Sequence, residues 1–427
     1  MKKLLIISYI FCLAMISQAQ TDPQSEGSFK VAFREPVDTA FTDSIIADTS
    51  GVRLQWPENV LVRIDSLLNE PLLKRSQIGL MVYDLTADSI LFRFNERQTM
   101  RPASVMKLVT AITALDRLGS NYQFRTSLYY KGTIKERTLV GDIYCVGGMD
   151  PRFSGDDMNA FAEGVRRLGI DTIRGRIIAD LSMKDETRLG EGWCWDDDNP
   201  MLSPLLMAKK ADFIPRFIDE LRDKKIHIIM PFNSNGTDEG TVPNGATIIC
   251  SRFHPISEIL MQMLKDSDNL YAESMLYQLA ASGGVKKASA ASARTHIKKL
   301  VSKIGLNPDR YKFADGSGLS LYNYVTPELL VHLLRYAYRN TDIITSLYPS
   351  LPIAGEDGTL SKRMKGPFTH NNVHAKTGTL TGISSLAGYC RTANNHFLAF
   401  CIINQGVLRV SDGRAFQDKI CTALCQP

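Results

Sequence analysis

A serine and a lysine three residues apart open an apolar run in the first third of the sequence. The run from Val105 to Leu118 has the spacing of a buried helix, and Gly119 supplies its stop. Ser104 would lie at the helix N-terminus, where free N–H groups favour a developing negative charge. Lys107, one turn further on, would share a face with it. Alone, the pair is a weak signal, because a capping serine beside a solvated lysine is the commoner arrangement.

Short apolar strands near both ends of the chain predict one antiparallel sheet. Residues 78–83 and 89–94 form a predicted hairpin, and residues 386–389 and 397–403 form another. A further strand is expected at Lys376, just before the second hairpin. With helices predicted between the two ends, the pattern favours an α+β fold in which helices flank the antiparallel sheet.

The middle of the chain changes pattern and predicts a smaller inserted α/β domain. From about residue 124 onwards, short strands and one helix separate the Ser104 helix from the later apolar helices. We therefore predict an inserted domain over residues 126–207. The catalytic domain would consist of residues 58–125 and 208–427.

The N-terminus has the pattern of an exported protein. Residues 1–19 combine a charged start, a short apolar run and a small-x-small cleavage site at Ala19, which predicts a secretory signal peptide. Residues 20–57 are polar and predict an extended leader. No later stretch is long and apolar enough for a transmembrane anchor. These features predict a periplasmic protein.

Charge and cysteine content exclude several classes. The formal charge is +5, but the basic residues are scattered among acids, so no nucleic acid partner is expected. Outside the predicted signal peptide, seven cysteines remain, with no Cys-x-x-Cys pair. Neither a disulfide framework nor a metal site is therefore expected. One bridge between Cys390 and Cys401 stays open, although buried free thiols are favoured.

Two further motifs stand in contexts that match the first. Ser267-Asp268-Asn269 opens an apolar helix, and Lys376-Thr377-Gly378-Thr379 begins a strand. Each motif alone would fit a helix cap or a turn before an edge strand. Together, and in this order, they match the set of class A β-lactamases and penicillin-binding proteins.

The three motifs carry the groups that an acyl transferase needs. Ser104 can be the nucleophile and Lys107 the general base. Ser267 can relay a proton to the leaving amine, and Asn269 can hold a substrate amide. Such a reaction also needs donors for the oxyanion.

The third motif would complete the site around the substrate carboxylate. Lys376 supplies a cation there, with the Thr377 and Thr379 hydroxyls beside it. Gly378 lets the backbone approach closely. The oxyanion hole would be the backbone N–H groups of Ser104 and Thr379.

Longer segments resemble one family, the D-alanyl-D-alanine carboxypeptidase/endopeptidases, which are class C penicillin-binding proteins. The similar segments are PASVMKLVTAITALDRLG, SDNLYAESML, ADGSGLSLYNYVTP, LPIAGEDGTLSKRM and HAKTGTLTGISSLAGY. The resemblance implies a serine β-lactamase/transpeptidase-like domain that removes terminal D-alanine from peptidoglycan stem peptides without a cofactor. It also implies D,D-endopeptidase cleavage of cross-links and covalent inhibition by β-lactam antibiotics at Ser104.

The resemblance extends to the segment GWCWDDD, whose aspartate implies a site for the free amino-acid end of diaminopimelate. That role would fall to Asp197, with Asp196 as the fallback. Asp150 also matches a family segment and is expected to be structural. His374, two residues before Lys376, either reaches the cleft or packs on the strand.

The chain departs from the family in one respect. The interval between Ser104 and Ser267 is shorter than in many members, which carry two inserted domains there. The outer inserted domain is expected to be absent, and its loss would affect partner contacts and endopeptidase access.

Three alternatives remain open. A class A β-lactamase fits less well, because its second motif follows the first more closely. A penicillin-binding sensor without turnover would not need the relay residues Ser267 and Asn269. A serine esterase would not require a free carboxylate, for which Lys376 and Thr377 are suited.

Overall fold

The computed structural model describes residues 54–194, 197, 201–232, 234 and 238–427. The predicted signal peptide and almost all of the predicted leader lie outside these residues. Within the described part of the chain, no helix has the length and apolar character needed to cross a bilayer.

The strands and helices follow one another along the chain in mixed order. The strands are β1 (Gln77–Asp84), β2 (Ser89–Phe94), β3 (Gln123–Lys135), β4 (Thr138–Val146), β5 (Thr172–Arg174), β6 (Ile177–Asp180), β7 (His227–Ile229), β8 (Asp238–Glu239), β9 (Thr247–Pro255), β10 (His374–Leu380), β11 (Ile383–Arg391) and β12 (Phe397–Gln405). The helices are α1 (Glu58–Leu67), α2 (Met106–Leu118), α3 (Gly155–Arg166), α4 (Phe213–Asp223), α5 (Ile256–Lys265), α6 (Asn269–Ala281), α7 (Ala290–Lys303), α8 (Pro327–Tyr338), α9 (Thr341–Ser350) and α10 (Val410–Cys425).

The first sheet joins the two ends of the chain. Its five strands are antiparallel in the order β10-β11-β12-β1-β2, so the N-terminal hairpin meets the C-terminal strands where β1 pairs with β12. β11 and β12 are buried along almost their whole length, as expected for central strands covered on both faces. This arrangement confirms the predicted α+β fold with a helix-flanked antiparallel sheet.

Helices cover the first sheet and fix the segment that bears Ser104. α2 is buried over its first ten residues, which explains why its sequence is apolar nearly all round. α10 packs on β11, where Gln417 Nε2 donates to Ser384 Oγ at 3.0 Å and to Asn404 Oδ1 at 3.2 Å. Arg409 occupies the N-cap position of α10, and Ser411 lies inside its first turn.

A second, mixed sheet is inserted between α2 and α5. It runs in the order β7-β5-β4-β3-β9, with β6 on β4 and β8 on β6. Its core is apolar and includes Phe161, Phe213 and Phe217, so α3 and α4 both pack on it. The sheet therefore extends to Pro255, beyond the predicted end of the inserted domain at residue 207. The return strand β9 was missed because it pairs with β3, which lies far away in sequence.

The cysteines in the described residues are free thiols. Cys390 and Cys401 are buried on neighbouring strands, where Cys390 is opposite Leu398 and Cys401 is opposite Ala387. The favoured prediction of free thiols at these two positions is therefore confirmed.

Candidate active site

Ser104 lies in a tight turn that the backbone of two segments holds in place. It is in the 3-10 turn Ala103–Val105, directly before α2, and Ala103 has a left-handed φ of 51°. Gly318 from a neighbouring loop has a φ of 81°, and a Cβ there would lie 1.9 Å from the Ala103 carbonyl oxygen. Only glycine permits this approach, and the loop therefore supports the turn that presents Ser104.

Lys107 lies one turn after Ser104 and is completely buried. Its Nζ lies 3.0 Å from Ser104 Oγ, 2.8 Å from Asn269 Oδ1 and 2.8 Å from the Ser317 carbonyl oxygen. An ammonium group can donate to all three acceptors, whereas a neutral amine can donate to two and accept the Ser104 proton. The same geometry thus suits Lys107 before and after it takes a proton.

The surroundings of Lys107 lower its pKa into a useful range. Burial lowers the pKa to about 8, and the carboxylates of Asp315, Glu273 and Asp268 oppose this effect. A lysine with such a pKa has a substantial neutral fraction near neutral pH, as a general base requires.

Ser267 and Asn269 come from the connection between α5 and α6. Ser267 has a left-handed φ of 63°, and Asp268 caps α6 by accepting the Tyr271 N–H at 3.2 Å. The cap fixes the start of the helix, so Asn269 projects at Lys107 from its first position. Lys209 also pairs with Asp268 at 2.5 Å and ties this turn to the segment before α4.

Lys376 is as deeply buried as Lys107. Its Nζ donates to Ser267 Oγ at 2.9 Å and to the Thr377 carbonyl oxygen at 2.7 Å. Burial, followed by the positive charge of Lys107, lowers its pKa well below the usual range of lysine. The Lys376 Nζ group contacts Ser267 rather than the surface, where a substrate carboxylate was expected to meet it.

Gly378 brings β10 against the Ser104 turn. A Cβ at Gly378 would lie 2.9 Å from the Ser104 backbone nitrogen and 2.8 Å from the Pro102 carbonyl oxygen. Ser385 Oγ, on the paired strand, also donates to that Pro102 oxygen at 2.5 Å. The absence of a side chain therefore lets the strand and the turn lie side by side, with Thr379 next along the strand.

The hydroxyl groups of Thr377 and Thr379 both have hydrogen-bond partners at the edge of the cleft. Thr377 Oγ1 donates to Thr359 Oγ1 at 2.7 Å. Thr379 is exposed, and its Oγ1 accepts from Nη2 of Arg414 on α10 at 3.2 Å. The sequence patterns did not suggest Arg414.

Two buried carboxylates support the loop that contacts Lys107. Glu273 Oε1 accepts the backbone N–H groups of Gly316 at 2.9 Å and Ser317 at 2.8 Å. Burial, and secondarily Asp315, raise the pKa of Glu273 to about 8. A glutamate four residues after Asn269 inside an otherwise apolar helix was a signal for this role that the motif search passed over.

Asp315 is the second buried carboxylate and has the larger number of partners. It accepts hydrogen bonds from Trp193 Nε1, Gly318 N, Ser320 N and Asn323 Nδ2 at 2.7–2.9 Å. The loop before α8 is thus organised around one charge. Trp193 connects this loop to the irregular segment that precedes Asp197.

Replacing Asp315 by alanine should lower the free energy of unfolding by about 3–5 kcal/mol, because each buried donor left unpaired costs about 1–3 kcal/mol. Urea unfolding followed by tryptophan fluorescence would measure the change. Asp309→Ala is the matched control, since Asp309 is exposed and its carboxylate pairs with Lys298 at the surface. Equal stability of the two variants would contradict the structural role of Asp315.

Asp197 makes only local contacts among the residues that the structure describes. Its Oδ2 accepts the Cys194 N–H at 2.7 Å, which closes a short turn. Trp193, on the same segment, is bonded to Asp315 behind Lys107, so this turn begins next to the loop that supports the site. Asp196, the fallback residue, lies outside the described residues.

His374 and Asp150 are parts of the framework. The His374 ring stacks on Tyr348 with a centroid distance of 4.2 Å, and burial lowers its pKa to about 4. Its stacking in the interior follows the packing interpretation. Asp150 is buried, and its Oδ2 lies 2.6 Å from His254 Nδ1. This contact links the segment after β4 to β9.

Comparisons with known proteins identify the family of this chain. The model of the D-Ala-D-Ala carboxypeptidase 3 (S13) family matches residues 60–213 and 234–426. A D-alanyl-D-alanine carboxypeptidase of Actinomadura sp. (strain R39) is 29% identical, over 84% of this chain and 83% of that protein.

Solved structures show the same fold. Penicillin binding protein 4 of Haemophilus influenzae superposes with a TM-score of 0.73 at 23% identity, covering 85% of this chain and 97% of that one. A structure of the same protein complexed with a β-lactam gives 0.70 at 23% identity, covering 86% and 100%. Since the family model spans most of the sequence, this chain belongs to the D-Ala-D-Ala carboxypeptidase 3 (S13) family.

Proposed function

We propose that this protein is a serine-type D-Ala-D-Ala carboxypeptidase that acts on peptidoglycan stem peptides. The observation that carries the proposal is the contact of the buried Lys107 amine with Ser104 Oγ, at 3.0 Å. A serine paired with a lysine of lowered pKa is an activated nucleophile. The family membership of the chain supports the same reaction class.

Acylation begins when Ser104 Oγ attacks the carbonyl carbon of the penultimate D-alanine. Lys107 takes the hydroxyl proton, and the oxyanion is held by the backbone N–H groups of Ser104 and Thr379. Asn269 Oδ1 is bonded to Lys107, so its amide N–H groups are left to hold the substrate backbone.

The acyl-enzyme forms when the tetrahedral intermediate collapses. The C–N bond breaks, and the leaving amine of D-alanine takes a proton from Ser267. Ser267 regains the proton that Lys107 took from Ser104, so Lys107 is neutral again, and Lys376 Nζ holds the Ser267 hydroxyl in place at 2.9 Å. Water then hydrolyses the ester of Ser104, with Lys107 again as the base. A β-lactam would acylate Ser104 by the same steps.

Two finer assignments belong to the proposal. Export to the periplasm is supported by the sequence of residues 1–19. Cleavage of D,D-cross-links is supported by the position of Asp197. Its turn starts beside the loop that bears Ser317, and its carboxylate would bind the free end of diaminopimelate.

The test combines product release with intact mass. D-alanine release from a peptide ending in D-Ala-D-Ala, together with one penicillin mass added to the protein, would establish the proposed function. Rapid penicillin hydrolysis without peptide cleavage would identify a β-lactamase instead. A stable adduct without peptide cleavage would identify a sensor, and cleavage of carboxyl-free esters alone an esterase.

The pH dependence of acylation should follow Lys107. Because its pKa is lowered to about 8, kcat/KM should rise with pH up to that value and fall about tenfold per unit below it. The sign follows from the base: protonated Lys107 cannot accept the Ser104 proton. D-alanine release measured between about pH 6 and pH 10 tests this, and an acid limb near pH 10 would contradict the lowered pKa.

A further inference from the structure

The substrate of the proposed reaction ends in a free carboxylate, which needs a cationic partner. Lys376 was the expected partner, but its Nζ contacts Ser267 Oγ and the Thr377 carbonyl oxygen. The side chain is 0% exposed. A carboxylate at the edge of the cleft therefore meets the threonine hydroxyls of this strand, and the charge must come from elsewhere.

Arg414 is the cation beside those hydroxyls. Its Nη2 donates to Thr379 Oγ1 at 3.2 Å, and its side chain is exposed at the end of the strand. One guanidinium bond is used in this contact, which leaves the other donors for an incoming group.

The helix that carries Arg414 is held firmly against the sheet. Gly413 lies so close to β11 that a Cβ there would be 2.8 Å from Ser384 Cβ. Gln417, one turn later, bonds to Ser384 and Asn404. Arg414, between these two anchors, therefore starts from a fixed backbone position next to Thr379.

The charge of Arg414 is not neutralised by an acid. Among the residues that the structure describes, it makes no ion pair, whereas its neighbours do. Arg409 and Arg75 both contact Asp412 at 3.4 Å, and Arg363 pairs with Asp418 at 2.6 Å. A guanidinium at the cleft without a carboxylate is suited to receive one from a ligand, and its planar fork matches a carboxylate in two bonds.

We propose that Arg414 binds the C-terminal carboxylate of the substrate, together with the hydroxyls of Thr377 and Thr379. Arg414 is then the residue that restricts the enzyme to peptides with a free carboxyl end. This inference rests on the proposed function, because it concerns the substrate of the Ser104 reaction.

The test compares two peptides in two variants. One peptide ends in D-Ala-D-Ala with a free carboxylate, and the other ends in the corresponding amide. Arg414→Gln should lower kcat/KM for the acid by about 10- to 100-fold, the range expected for a lost charge-assisted hydrogen bond. Its kcat/KM for the amide should stay unchanged, so that the preference for the acid is lost.

Arg409→Gln is the matched control, because it removes a neighbouring exposed arginine that already pairs with Asp412. It should keep the wild-type preference. Equal loss on both peptides, or no loss on either, in Arg414→Gln would overturn the role of Arg414. A wild-type protein that releases no D-alanine at all would overturn the proposed function itself, and this inference with it.

Discussion

Replacing Ser104 by alanine is expected to abolish the penicillin adduct and to lower D-alanine release by about 10⁴- to 10⁶-fold, as for removal of other serine nucleophiles. The reason is chemical: alanine has no oxygen to form the acyl ester. The fold should persist, because the Ala103–Val105 turn is held by backbone contacts from Gly318 and Gly378. Intact mass after incubation with a penicillin measures the adduct directly.

The control for this variant is Ser302→Ala on α7. Ser302 is exposed, and in the described part of the chain its hydroxyl contacts none of the site residues. It should acquire one drug mass at the wild-type rate. A drug adduct retained by Ser104→Ala, with Ser302→Ala unchanged, would show that another residue is acylated and would end the mechanism proposed above.

Replacing Lys107 by methionine is expected to slow acylation of Ser104 by about 10²- to 10⁴-fold, the usual contribution of a general base. The serine hydroxyl would lose its proton acceptor at 3.0 Å. The free energy of unfolding should change much less than the activation free energy of acylation. Methionine fills the volume and removes a buried charge, which offsets the cost of leaving Asn269 Oδ1 and the Ser317 carbonyl without their donor.

A fluorescent penicillin, followed by its rate of incorporation, separates the two effects when thermal unfolding is measured on the same samples. Lys299→Met provides the matched control, because Lys299 is exposed on α7. Acylation of Lys107→Met at the wild-type rate would exclude Lys107 as the base. Loss of the folded state in Lys107→Met would instead direct the experiment to Lys107→Arg, which keeps the charge but stays protonated.

The first sheet was largely predictable from the sequence, because its signals are local. Alternating and continuous apolar strands at residues 78–83, 89–94 and 397–403 matched β1, β2 and β12 within two residues. Two of the three motifs also stand at helix starts: Asp268 caps α6, and Ser104 lies in the turn directly before α2. The chemistry of the site was visible for the same reason.

The second sheet and the support of the site were less predictable, since both depend on contacts between distant segments. β9 belongs to this sheet by pairing with β3, and the boundary predicted at residue 207 left this strand outside the inserted domain. Helices α7 and α9 were not predicted at all. Lys376 is buried where it contacts Ser267 from the α5–α6 connection, and Arg414 approaches Thr379 because of how α10 lies on the sheet; no pattern within any one segment encodes either contact.

The strand order β10-β11-β12-β1-β2 has a consequence for when the molecule becomes active. β12 joins the hairpin of β1 and β2 to the C-terminal strands β10 and β11. The hairpin therefore has no neighbouring strand in this sheet until nearly the last residues have left the ribosome. Closing pairs this far apart in sequence is slow. Ser104 is made early, but its partner strand, with Gly378 and Thr379, arrives at the end. A nascent chain that ends before β10 lacks Gly378 and Thr379, and with them one of the two proposed donors of the oxyanion hole, so we expect no hydrolase activity from it.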